Sequence, residues 1–126
     1  MKKVKSFEHA CELLNIETTL PVVTGIPAEH QEAIVAHYQL VIVAQAINDG
    51  WKPDWSDSSQ YKYHPWMKVK ATKKKPSGSG LSFDGYGCWN SDADVGSRLC
   101  YKSREAAEYA GKKFAGLYAK AWLYLQ

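Results

Sequence analysis

Long hydrophobic runs are missing from this sequence, and their absence excludes several classes of protein. The longest apolar run, Leu40 to Ala44, is far shorter than the roughly 20 residues that a membrane-spanning helix requires. Met1 to Ser6 lead into the chain without the hydrophobic segment of an export signal. We therefore expect a cytoplasmic protein with no membrane partner.

Cysteine is also sparse, and no motif for a metal, a cofactor or a catalytic centre is complete. The three cysteines, Cys11, Cys88 and Cys100, form no C-x-x-C pair, and we predict reduced, mostly buried thiols. The aspartates of "NSDADVG" fail the spacing of a calcium loop, because Val95 and Tyr101 stand where a glycine and a bidentate acid are needed. Patterns such as G-x-S-x-G, H-E-x-x-H and the P-loop are absent as well. We expect no metal and no cofactor, and we do not expect catalysis to be the main activity.

Composition and charge indicate one globular domain with a single local excess of positive charge. With 126 residues, of which 45% are hydrophobic and 23% charged, the chain is long enough to bury a core without disulfide or metal support. We predict one domain over residues 1–126. The formal net charge of +3 depends on the segment "KVKATKKK", whose five lysines between Lys68 and Lys75 have no acidic residue among them.

Three helices are predicted from apolar spacing and from capping residues. Ser6 is a suitable N-cap for a short first helix. Pro27 suits the first turn of a second helix, which continues through "AIVAHYQLVIVAQAI" until Gly50 and the two polar residues before it supply a stop. Since its segment "LVIVA" is apolar on every side, the helix should form the centre of the fold. Ser103 caps a last helix, and Gly111 on its apolar stripe indicates close approach to a neighbour.

The middle of the chain alternates apolar and polar residues, which is typical of strands. Gln60 to Ala71 predicts a first strand, with an edge position or a bulge at Pro65, and a second strand follows the loop "TKKKPSGSG". The segment "SRLCYK" predicts a third strand, with Leu99 and Tyr101 pointing inward. The predicted fold is α+β: a three-stranded antiparallel meander with helices packed on one face, in the order α-α-β-β-β-α. Such a sheet leaves its other face to water or to a partner.

The open face of this sheet is the predicted binding surface. By alternation, Trp66 and Tyr86 point away from the helices, as do Arg98 and Lys102 on the third strand. Sheet-based nucleic-acid modules combine a cationic rim, which attracts phosphate, with aromatic rings on which bases stack. The predicted partner-binding residues are Trp66, Lys68, Lys70, Lys73, Lys74, Lys75, Tyr86, Arg98 and Lys102. The competing interpretation of the lysine run is a solvated hairpin loop that keeps a sheet edge from aggregating.

Two other functions stay open at this point. Cys88, Cys100 and Asp84 share the outward parity with His64, so a small hydrolase or transferase could use Cys88 or Cys100 as nucleophile and His64 as base. A shallow sheet without a concave pocket, or two thiols buried apart, would remove this alternative. A structural phage component is the other alternative, and self-association in solution would indicate it.

Three segments, "GWKPDWSDSSQYKYHPW", "DVGSRLCYKS" and "AAEYAGKKFAGLY", resemble a family of small phage and gut-bacterial proteins that has no assigned activity. A Trp-Lys-Pro-rich segment, a Tyr-Lys-Tyr-x-Pro-Trp strand and a Val-Gly-Ser-Arg-Leu-Cys strand recur in that family, and the likeness extends from Ser6 onward. The resemblance implies an intracellular protein of phage or prophage origin. Our leading hypothesis is a non-catalytic binding protein that contacts a macromolecule, either nucleic acid or a host protein, through the open aromatic and basic sheet face.

Overall fold

A computed structural model describes residues 2–125 and shows an α+β fold. The elements in chain order are α1 (Phe7–Leu14), α2 (Ala28–Asn48), β1 (Lys62–Lys70), β2 (Gly80–Trp89), a 3₁₀ turn (Ser97–Leu99), α3 (Arg104–Lys113) and α4 (Ala115–Trp122). The α+β class is confirmed. The three-stranded meander is wrong, because the sheet of the described chain is a hairpin of two antiparallel strands.

The segment predicted as a third strand meets the sheet at one residue only. Tyr101 exchanges two backbone hydrogen bonds with Tyr63 of β1, at 3.0 and 2.7 Å. The ladder stops on either side of this pair, because Leu99 lies in the 3₁₀ turn and the Ser103 side chain caps α3 by accepting from the Ala106 N–H at 3.1 Å. Leu99 and Tyr101 are nevertheless buried, so their inward direction is confirmed.

Asn48, the last residue of α2, holds this segment in place. Its side chain is buried, its Nδ2 donates to the Cys100 carbonyl at 2.9 Å, and its Oδ1 accepts from the Lys102 N–H at 3.1 Å. These are the backbone groups next to Tyr101 that a neighbouring strand would otherwise satisfy. The side-chain amide of Asn48 therefore satisfies the backbone groups that a neighbouring strand would otherwise satisfy.

The core is built around α2, as its apolar sequence predicts. Leu40, Val43 and Ile47 are fully buried and belong to a hydrophobic cluster that takes in residues from all four helices of the described chain. The last helix, predicted as continuous, is divided at Phe114, whose backbone departs from helical geometry with φ −113° and ψ 24°. Across residues 2–125, no helix combines the length and the apolar character needed to cross a bilayer.

Helix α3 packs closely on one face of the hairpin. A Cβ atom added to Gly111 would lie 2.6 Å from the Phe83 ring and 2.8 Å from the Pro65 side chain. A larger residue than glycine would therefore force the helix away from both strands. The close approach that Gly111 indicates in the sequence is confirmed.

An extra residue in β2 changes which side chains share a face. Trp66 is opposite Gly85 and Met67 is opposite Phe83, which leaves Asp84 without a partner in a β-bulge. Beyond a bulge the alternation of side chains is shifted by one residue. Odd-numbered residues of β2 therefore face the helices before the bulge, and even-numbered residues face them after it.

Candidate binding surface on the open sheet face

Trp66 lies on the face of the hairpin away from α3, and 57% of its surface is exposed. The residue opposite it is Gly85, and Gly87 follows on the same face. A Cβ on Gly87 would lie 2.6 Å from Trp66 Nε1 and 2.7 Å from His64 Nε2. The missing side chain of Gly87 therefore lets the Trp66 indole lie against the backbone of β2, and the predicted exposure of Trp66 is confirmed.

The lysines of the predicted surface extend from this indole along β1 and into the loop that follows it. Lys68 and Lys70 follow Trp66 at alternate positions of β1, which places them on the same face. Lys73, Lys74 and Lys75 lie in the loop that joins β1 to β2. All five are exposed, and within residues 2–125 none of them pairs with an acidic side chain. Their positive charge is therefore free to act on a partner.

Trp89 is a second tryptophan on the open face, and sequence reasoning missed it. It is opposite Lys62, whose alternation with His64 and Trp66 places all of them on one side of β1. Trp89 is 40% exposed, and its Nε1 donates to Asp94 Oδ2 at 2.8 Å. Strict alternation along β2 predicts that the Trp89 side chain points toward the helices, but the bulge reverses its direction.

Tyr86 lies on the opposite side of the hairpin. Its partner in β1 is Pro65, which packs against Gly111 of α3. The guanidinium of Arg104, at the start of α3, lies 5.8 Å from the centre of the Tyr86 ring. The prediction that Tyr86 shares the open face with Trp66 is therefore wrong, because the bulge shifts the alternation between them.

Arg98 and Lys102 are also placed differently from the prediction. Arg98 is exposed in the 3₁₀ turn, and Lys102 is half-buried with its backbone N–H bound to Asn48. Neither residue belongs to a strand, so the outward strand parity predicted for both is wrong. The structure brings together Trp66 and the lysines of the predicted set, and it separates Tyr86, Arg98 and Lys102 from them.

No protein-family model, curated protein or solved structure matches this chain. The resemblance to the phage and gut-bacterial family stays a prediction. Within the described residues, no three His, Cys, Asp or Glu side chains are placed together as metal ligands.

His64 and Lys62 are buried beneath the loop that follows β2. Lys62 is 1% exposed, and its Nζ donates to the Asp57 and Asn90 carbonyls at 3.1 and 2.7 Å. His64 is 4% exposed, and its Nε2 has Asp94 Oδ2 at 3.5 Å as its acidic neighbour. His64 has the outward direction that its parity predicts, but the loop covers it, and its Nε2 has no hydrogen-bond partner among the described residues. Lys62 anchors this loop beside Trp89.

Cys88 and Cys100 are placed differently with respect to His64. Cys88 is exposed and opposite Tyr63, on the side of the hairpin that faces α3, whereas His64 points to the other face. Cys100 is buried and lines the same cavity as His64 and Asp94, but this cavity holds only about 10 Å³. Burial raises the pKa of the Cys100 thiol to about 11, and a thiol protonated at neutral pH is a poor nucleophile. A cavity of this size admits no substrate, so the geometry does not favour a hydrolase or transferase built on Cys100 and His64.

Proposed function

We propose that this protein binds single-stranded nucleic acid through the open face of the β1–β2 hairpin. The observation that carries the proposal is the exposed indole of Trp66 beside the unpaired cations of Lys68 and Lys70, on a face that α3 leaves uncovered. Trp66 would stack on a base, and the lysines would neutralise phosphates. Trp89, on the same face, is available for a second base.

The chemistry favours a single strand over a duplex. Stacking on an aromatic side chain contributes about 1–3 kcal/mol per base, but only bases released from a duplex stack can reach it. Readers of duplex DNA insert a helix or a ribbon into a groove, but the β1–β2 ribbon has α3 packed on its other face and presents a ring and flanking cations at its surface. The flexible loop lysines would follow the backbone of the strand and add affinity that salt weakens.

Fluorescence anisotropy with labelled oligonucleotides tests this proposal. Single-stranded and duplex forms of one sequence are titrated at low and near-physiological salt. Trp66→Ala should weaken single-strand binding about tenfold, since about 1.4 kcal/mol of lost stacking corresponds to a factor of ten. Replacing Lys73, Lys74 and Lys75 with serine should reduce the slope of log affinity against log salt by about two, because each phosphate contact contributes about 0.7 for single strands.

A charge-matched control separates a defined surface from general attraction. Lys5, Lys113 and Lys120 are exposed lysines outside the hairpin, and replacing them with serine removes the same charge. This control should leave the affinity nearly unchanged. If it weakens binding as much as the loop variant does, or if the wild type fails to bind at low salt, the proposal is wrong. If the wild type does not bind at low salt, the open face would instead contact a protein partner, such as a host protein.

A further inference from the structure

An open cleft of about 540 Å³ lies where the C-terminal half of α2 meets the end of α1 and the 3₁₀ turn. Its apolar wall is formed by Leu14, Val41, Trp51 and Pro53. The volume falls within the range of small-molecule sites, roughly 300–1,000 Å³, which are typically apolar with a few polar groups that orient the ligand. None of the residues of the open sheet face lines this cleft.

The charged side chains of the cleft are all positive. Lys52 and Arg98 line it, no Asp or Glu does, and neither cation forms an ion pair within residues 2–125. Three of the last four carbonyls of α2 accept a backbone hydrogen bond: Gln45 and Ala46 from the Asp49 N–H, each at 3.2 Å, and Asn48 from the Trp51 N–H at 3.0 Å. The negative end of the helix dipole disfavours an anion. The attraction for an anion therefore comes from the two cations, Lys52 and Arg98.

The cleft is held open by contacts from neighbouring segments. Asn48 fixes the backbone after the 3₁₀ turn through its bonds to Cys100 and Lys102. Ser97, in the turn itself, accepts from Trp55 Nε1 at 2.7 Å. A wall positioned before the ligand arrives reduces the entropy cost of binding.

We propose that this cleft binds a small organic anion. Its aromatic or aliphatic body would pack against Trp51 and Val41, and its carboxylate, sulfonate or phosphate group would pair with Arg98 and Lys52. The planar guanidinium of Arg98 is suited to two parallel hydrogen bonds with such a group. Gln45, exposed at the rim, would donate from its side-chain amide.

Fluorescence titration with 8-anilinonaphthalene-1-sulfonate, an apolar aromatic anion, tests the charge requirement. Arg98→Gln and Lys52→Gln should each weaken binding about tenfold, because hydrogen bonds to charged groups contribute about 1.5–3 kcal/mol. N-phenyl-1-naphthylamine has the same rings without the sulfonate, and its affinity should be the same in both variants. Lys113→Gln, an exposed lysine of α3, is the control and should bind as the wild type does.

Two further measurements locate the probe. In NMR spectra, the Trp51 indole N–H and the Gln45 side-chain amide should shift as the sulfonate probe is added. Gln45→Trp should fill the cleft from its exposed rim and abolish binding, whereas Trp66→Ala should leave it unchanged. Arg98→Lys keeps the charge and should retain more affinity than Arg98→Gln.

The same measurements can overturn the proposal. If Arg98→Gln and Lys52→Gln both bind the sulfonate as tightly as the wild type does, the cleft does not select anions. If the Trp51 signal stays in place while fluorescence rises, the probe binds elsewhere. Thermal unfolding of each variant verifies that a loss of affinity is not a loss of folding. Loss of binding in Trp66→Ala would assign the probe to the open sheet face.

Discussion

At the scale of single residues, Gly87 determines how the rings of the open face are arranged. Its backbone is not in the left-handed region that favours glycine. A Cβ atom there would nevertheless lie within 2.7 Å of both Trp66 Nε1 and His64 Nε2. Trp66 is exposed and has room to move outward, but His64 is buried and does not. The requirement at Gly87 is therefore space for a neighbouring ring.

We expect Gly87→Ala to lower the free energy of unfolding by about 1–3 kcal/mol, the usual cost of forcing extra volume into a packed site. Gly80→Ala in the same strand is the matched control, because its added Cβ would meet no atom within 4 Å. That control should change stability by less than about 0.5 kcal/mol. Urea unfolding curves measure both values. Equal effects of the two substitutions would contradict the packing argument.

At the scale of elements, Asn48 connects the end of α2 to the segment that carries Tyr101. We expect Asn48→Ala to lower the free energy of unfolding by about 2–4 kcal/mol, since it leaves the Cys100 carbonyl and the Lys102 N–H buried without partners. Gln45→Ala, at an exposed position of the same helix, should be nearly neutral. Hydrogen exchange at the Tyr101 amide should quicken in the first variant only. Unchanged exchange there would show that the segment is held by other contacts.

Elements that depend on local signals were predictable, and those that depend on distant pairing were not. Ser6 and Ser103 cap helices as their sequence context indicates, because a cap involves residues three positions apart. Asn48 acts on Cys100, 52 positions away, and nothing near Asn48 in the sequence reports that contact. Pro65 indicates a bulge in β1, but the irregularity beside it puts the extra residue, Asp84, in β2. Parity therefore assigned Trp89 and Tyr86 to the wrong faces, while the β1 residues of the site were placed correctly.

At the scale of the whole molecule, the core keeps one thiol and two tyrosine hydroxyls in their protonated, neutral form. Burial raises the pKa of the Cys100 thiol to about 11, and burial also raises the pKa values of Tyr101 and Tyr118, whose hydroxyls are 2.8 Å apart. Above the ordinary pKa values of these groups, the unfolded chain releases protons that the folded chain retains. The free energy of unfolding must therefore fall as pH rises above about 9.

We expect the melting temperature to fall steadily between about pH 9 and 11 and to change little from these groups at lower pH. Cys100→Ala removes one of the contributing groups and should show a shallower decline than the wild type. Cys88→Ala removes an exposed thiol and should decline as the wild type does. Thermal scans followed by circular dichroism measure all three slopes. A Cys100→Ala slope as steep as the wild-type slope would exclude the thiol as a contributor.

The bulge at Asp84 makes the hairpin tolerant of a change in its own length. Deleting Asp84 would close the ladder and leave every β2 side chain on its present face, because Asp84 is the residue without a partner in β1. Pairing the full-length strand without a bulge would instead turn Tyr86 outward and Trp89 toward the helices. One unpaired residue therefore determines which rings meet the solvent on each side of the hairpin.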